Sequence, residues 1–221
     1  LNSNPITNNG TFITTASTIE YNGSAYQGVS TGNIDYRNLR INNPEGVSVY
    51  SFFSSFTVTD TLSLILGDLE LNGSTITLSP TGYLVETSGN TIVGSHPSGN
   101  ITTTRIINSP SNLNIGGLGA ILTTSSNLGS TVIRRSPSVQ NNLNGSSSIK
   151  RYFDIIPTNN SGLNATLTFK YDDSELNNRP EGSLQLFRST NSGSSWTLRG
   201  GLINTSTNEI TLSGIDAFSR W

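Results

Sequence analysis

Short runs of alternating apolar and polar residues make up most of the chain, separated by clusters of Asn, Gly, Ser and Pro. Thr75-Ile76-Thr77-Leu78-Ser79 and Ala165-Thr166-Leu167-Thr168-Phe169-Lys170-Tyr171 are representative. A period of two gives a half-buried strand one apolar face. No stretch supports a long helix, and the one helix-friendly run, Asp173-Ser174-Glu175-Leu176, is a single turn. The chain reads as all-β.

Composition supports that reading and narrows the chemistry. Ser, Thr, Asn and Gly number 34, 28, 27 and 22 of 221 residues, types that suit strands and turns better than helix interiors. Charged residues are 12% and the net charge is −2, unlike the high net charge of disordered chains. There is no Cys, no Met and one His, which removes thiol nucleophiles and His-pair zinc sites and leaves a single imidazole. Absence of Met even at position 1 reads as an excised or processed segment, and zero Cys fits a bacterial exterior that does without disulfides. Arg134-Arg135 and Lys150-Arg151 are isolated basic pairs, so no nucleic-acid footprint is expected. No apolar run approaches the roughly 18 residues of a spanning helix, so no membrane insertion is expected.

Charge divides the chain. Residues 1–100 hold Arg37 and Arg40 against seven acids, and residues 101–221 hold ten basic residues against seven acidic ones. That shift predicts a solenoid module over 1–100 and a second module over 101–221. In the first, Leu39-Arg40-Ile41-Asn42, Phe56-Thr57-Val58-Thr59, Leu69-Glu70-Leu71-Asn72 and Leu84-Val85-Glu86 recur every 13–17 residues. This recurrence favours a short parallel β-solenoid, β-helix-like, over an antiparallel sandwich. In the second, longer strands such as Ile149–Ile156 and Ser183–Arg188 alternate with turn clusters such as Asn177-Asn178-Arg179-Pro180, as in an immunoglobulin-like β-sandwich.

Candidate sites are few. Asp172, Asp173 and Glu175 could together offer oxygen ligands to Ca²⁺, although acids after a strand also cap turns. Asp60, Asp68 and Glu70 are the acids a polysaccharide-cleaving solenoid would use, but scattered acids on a few coils make a poor cleft. Tyr21 and Tyr26 flank a turn and are candidate platforms for glycan stacking. Trp196 suits a sandwich core. His96, between small residues and Pro97, reads as a loop histidine, and no Gly-x-Ser-x-Gly turn accompanies it. Gly116-Gly117-Leu118-Gly119 lacks the helix a phosphate loop requires. No cofactor is implied.

Two stretches carry a resemblance. Gly10-Thr11-Phe12, Ser17–Ser24 and Tyr36-Arg37-Asn38-Leu39-Arg40-Ile41-Asn42-Asn43 resemble the solenoid repeats of large secreted surface proteins of Bacteroidetes. Arg151-Tyr152-Phe153-Asp154-Ile155, Leu167–Tyr171 with Glu175-Leu176-Asn177, Leu186–Ser189 with Ser195-Trp196, and Gly214–Trp221 resemble the module that often follows. The resemblance implies export by the type IX route, with a sorting domain beyond Phe218-Ser219-Arg220-Trp221, and an extracellular or cell-surface location. It implies a structural or adhesive role without catalytic residues. A carbohydrate-binding accessory module of a polysaccharide-degrading enzyme is the alternative. The start, Leu1–Ile6, has no polar cap, so neighbouring repeats, subunits or a donated strand are expected to meet the N-terminal coil, and surface glycans are further candidate partners.

Overall fold

In the computed structural model, which describes residues 16–31, 34–50, 54–94 and 96–221, the apolar positions of the first hundred residues stack into columns. The chain divides into two units, Leu1–Thr103 with Ser136–Ser138 and Thr104–Arg135 with Val139–Trp221. The first is a parallel β-solenoid of about four turns.

Its strands are β1 (Thr18–Tyr21), β2 (Gln27–Val29), β3 (Tyr36–Asn42), β4 (Val47–Val49), β5 (Ser55–Leu66), β6 (Leu69–Glu70), β7 (Thr75–Leu78), β8 (Tyr83–Glu86), β9 (Ile92–Val93) and the start of β10 (Asn100–Asn108). One sheet runs β1-β3-β5-β7-β10, with β8 also on β5, and the other runs β2-β4-β6-β9. All these pairs whose register is defined are parallel. Ile19, Leu39, Leu62 and Leu84 share one register position, as do Phe56, Ile76 and Ile101, and in the other sheet Val47, Leu69 and Ile92. Apart from half-buried Ile19, these side chains are buried, and each contributes on the order of 2 kcal/mol by leaving water.

One full coil is longer than any of the 13–17-residue intervals, which the sequence reading takes as successive sides of the coils. Partners are 20 residues apart at Thr18 and Asn38 and 25 apart at Thr75 and Asn100. Intervals of 13–17 count strands along the chain, not rungs of one column. Corners hold the stack in register through side chain to backbone bonds between coils. Asn43 Nδ2 donates to the Ala25 carbonyl (2.8 Å), Asn72 Nδ2 to Val49 (2.9 Å), and Asp68 Oδ1 accepts from the Thr91 amide (2.8 Å). Asn90 Oδ1 accepts from the Gly67 amide. Short Asx side chains reach a neighbouring backbone without crossing the core, which explains their abundance at these corners.

The second unit is also all-β. It contains the rest of β10, β11 (Leu113–Asn114), β12 (Ala120–Thr123), β13 (Asn127–Ser136, as far as Arg135), β14 (Tyr152–Pro157), β15 (Ala165–Lys170), β16 (Leu186–Arg188), β17 (Thr197–Gly200), β18 (Leu202–Asn204) and β19 (Glu209–Ile215). One sheet runs β11-β12-β15-β19-β18 with antiparallel pairing throughout. In the same unit β13 and β14 are neighbours, and Phe153 of β14 meets Phe169 of β15 edge to face, centroids 4.8 Å apart. Single 3₁₀ turns stand at Ile115–Gly117, Asp173–Glu175 and Glu181–Ser183.

The opening run Leu1–Ile6 and the Gly10-Thr11-Phe12 stretch lie outside the described residues. Among the described residues β1 and β2 are the outermost strands of their sheets, each pairing on one side only.

Candidate ligand cleft

The second unit holds a cleft of about 260 Å³. Segments distant in sequence build it, with Phe169 of β15 and Ile210 of β19 among them. The loop before β14 contributes Gln140, Leu143 and Ser146–Ile149, β14 contributes Tyr152, and the turn after the Asp173–Glu175 helix contributes Arg179 and Pro180. The β16–β17 hairpin region supplies Leu184–Phe187 and Trp196, and Trp221 closes the lining.

Local rules place each part. Asn177 and Asn178 both have positive φ, 53° and 59°, a left-handed conformation that asparagine tolerates better than most residues. The chain turns sharply there, and Arg179 Nη2 donates to Ser147 Oγ at 2.6 Å. Trp221 is fixed by its backbone, whose amide donates to the Phe153 carbonyl at 2.8 Å while the Phe153 amide donates back at 2.9 Å. Trp221 is 4% exposed, with the Arg188 guanidinium 5.8 Å from its ring centroid. Burial lowers the Arg188 pKa, with Arg199 adding in the same direction.

A charged group adjoins the cleft, and its Arg151 is part of the lining. Glu175 and Arg151 form a bidentate pair, Nε to Oε1 at 2.9 Å and Nη2 to Oε2 at 2.8 Å, with both side chains almost wholly buried. Arg135 Nη2 approaches Glu175 Oε1 at 3.5 Å from a fully buried side chain. Arg151 Nη1 also donates to the Lys170 carbonyl (2.6 Å). Nearby, Arg220 grips Asp154 with Nε on Oδ1 (2.7 Å) and Nη2 on Oδ2 (2.9 Å), and lies 4.3 Å over the Tyr152 ring.

The acids proposed for Ca²⁺ occupy different roles. Asp172 caps the Asp173–Glu175 turn, accepting from the Ser174 amide, and Glu175 completes a capping box through the Asp172 amide. Asp173 Oδ1 accepts from Asn208 Nδ2 (2.9 Å). With Glu175 bound to Arg151, the three are not drawn to one point, and no group of three His, Asp or Glu suited to a metal stands among the described residues.

The two tyrosines separate. Tyr21 is 2% exposed, its hydroxyl accepting from the Ser30 amide and lying 3.4 Å from that of Tyr36. Tyr26 is 43% exposed. Tyr50, equally exposed, lies so close over Gly28 of the preceding coil that a Cβ there would stand 2.9 Å from its ring. Asp60 pairs with Arg37 at 3.3 Å, and Glu70 Oε1 accepts from the Asn72 amide. His96 Nδ1 lies 2.8 Å from Ser98 Oγ.

Sequence reasoning missed the cleft. Trp196, a residue whose neighbours suit a sandwich core, is half-buried and lines the cleft with Trp221 and Arg179. The only local signal was an arginine inside an Asn-Asn-Arg-Pro turn, where long side chains are not needed for the turn itself. No protein-family model matches the chain, and no curated protein or solved structure matches it.

Proposed function

We propose that the chain is a non-enzymatic structural and adhesive module of a larger secreted or cell-surface bacterial protein. The observation that carries this is the use of the solenoid's polar side chains. Asp68, Asn43, Asn72 and Asn90 bond neighbouring coils, and Asp60 is engaged by Arg37. Polar chemistry in this unit builds cohesion between coils, as a scaffold requires. Strand addition to β1 and β2 is the assembly mode this reading favours, since both are outermost among the described residues. An immunoglobulin-like sandwich in the second unit belongs to the same proposal, supported by the antiparallel sheet facing β14 through Phe169 and Phe153.

A polysaccharide-cleavage screen tests the non-enzymatic reading, which predicts no turnover. Cleavage that survives purification and disappears in Asp60→Asn, Asp68→Asn or Glu70→Gln overturns it. Light scattering of the chain beside an N-terminally extended form tests assembly. Concentration-dependent association lost on extension supports it, and a monomer at high concentration in both forms overturns it.

A second reading, a glycan-binding accessory module, has the exposed rings of Tyr26 and Tyr50 on successive coils in its favour. A glycan array with Tyr26→Ala and Tyr50→Ala variants separates it from the first.

A further inference from the structure

We propose that the cleft of the second unit binds a small carboxylate with an apolar body, a role separate from the structural one above. Three features of the lining lead there.

Its charge has one sign. Two arginines and no Asp or Glu line the cleft. Arg151 is neutralised by Glu175, but Arg179 makes no ion pair among the described residues and bonds only the neutral Ser147 hydroxyl through its side chain. A positive guanidinium beside an apolar wall attracts an anion, and its planar fork matches a carboxylate.

Its unsatisfied groups are all donors. Trp196 Nε1, Trp221 Nε1 and Arg179 Nε are shielded from solvent and reach no acceptor. Indole and guanidinium nitrogens only donate, while a carboxylate only accepts, through two oxygens with room for several bonds. Buried donors without partners are uncommon and call for an explanation. A ligand acceptor supplies one, reached by rotation of these side chains toward the cleft that their residues line.

Three of its four serine protons are already committed. Ser146 Oγ donates to the Leu143 carbonyl, Ser148 Oγ to Ile149 and Ser183 Oγ to Pro180. Ser147 Oγ accepts from Arg179. No carboxylate lines the cleft to accept from the many hydroxyls of a saccharide, whereas Leu184, Phe187 and the two indoles offer apolar surface. The lining therefore selects a hydrocarbon or aryl body with one anionic end.

The chain has two tryptophans, and both line the cleft, so intrinsic fluorescence reports occupancy without a label. The full 221-residue chain is titrated with 4-phenylbutyrate, its neutral amide, octanoate, glucuronate and N-acetylglucosamine, with calorimetry in parallel. The expected result is saturable quenching or blue shift with both apolar carboxylates, and affinity at least about tenfold weaker for the amide, equivalent to about 1.4 kcal/mol. Arg179→Gln should erase the acid-over-amide preference while leaving the thermal transition in place, and Arg179→Lys should restore part of it. Equal binding of acid and amide, saturation by the saccharides alone, or no saturable signal with either carboxylate overturns the proposal. Were Arg179→Gln to unfold the unit, the acid–amide comparison on the unaltered chain still decides.

Discussion

Phe153 and Trp221 exchange a reciprocal pair of backbone hydrogen bonds, 2.9 and 2.8 Å long, which makes the Phe218–Trp221 segment a pairing partner of β14. The next bond in the series, from the Ile155 amide to the Ser219 carbonyl, is 3.0 Å. Between them Asp154 faces Arg220, so two sequence-distant motifs, Arg-Tyr-Phe-Asp-Ile and Phe-Ser-Arg-Trp, form one structural element. Asp154→Asn removes the charge that a bidentate arginine grips, and should cost about 3 kcal/mol of unfolding free energy in urea. Arg134, 40% exposed and 3.4 Å from the same carboxylate, should cost no more than about 1 kcal/mol as Arg134→Gln. Equal costs would mean that the pairing does not depend on the Arg220 grip.

Gly67 has φ of +82°, and a Cβ there would lie 1.9 Å from the Asn43 carbonyl oxygen. Backbone must move to admit it, at a corner where the Asn43 amide also bonds the Leu66 carbonyl (2.8 Å). Gly67→Ala should destabilise the solenoid by about 3 kcal/mol or more. Gly89, at φ of +78° with open space around it, isolates the conformational cost, and Gly89→Ala should lose only about 1 kcal/mol. Chemical denaturation of the two variants in parallel reads the difference.

The Tyr36 hydroxyl donates to the Ser30 carbonyl at 2.7 Å and is raised far above the usual tyrosine range, first by burial and then by the neighbouring Tyr21. The unfolded chain releases this proton near pH 10, while the folded one retains it. Its stabilisation is complete below about pH 10, and stability should fall above that by about 1.4 kcal/mol per pH unit. In Tyr36→Phe the alkaline slope should be shallower, although the neutral-pH stability drops by about 1 kcal/mol with the lost bond. Urea midpoints between pH 8 and about 11 provide the test, and identical slopes would count against it.

Arg135, Glu175 and Arg151 form a buried cation–anion–cation group with one net positive charge. Glu175→Gln leaves two buried guanidiniums without their anion and should cost about 3–5 kcal/mol, with a lower thermal midpoint. The triple variant Arg135→Met, Glu175→Leu, Arg151→Met should recover most of that loss, because the desolvation penalty leaves with the charges.

Much of the solenoid was legible, since the Leu39, Leu62 and Leu84 alternations name strands and their inward faces. Coil length was not, because periodicity along a strand does not say which strand lies above it. Corner contacts such as Gly67 against Asn43 set that length, and they join residues 24 apart. Tyr21 flanks a turn but is buried, in the phase that Ile19 sets two residues earlier. The cleft was hidden for another reason. Arg179, Trp196 and Trp221 come from separate loops, and each looks ordinary in its own window. The Phe153–Trp221 pairing fixes one of them from across the unit, and no local rule could announce it.

The corner ladders have a consequence for how such a chain can vary. Each coil touches only the coils above and below it, and one rung advances the stack by a strand spacing of about 4.8 Å. Coils of 20 to 25 residues keep the same rung because the extra residues sit at corners. The solenoid is thus a ruler graduated in whole coils, whose reach changes in discrete steps by gain or loss of a coil while its cross-section stays constant.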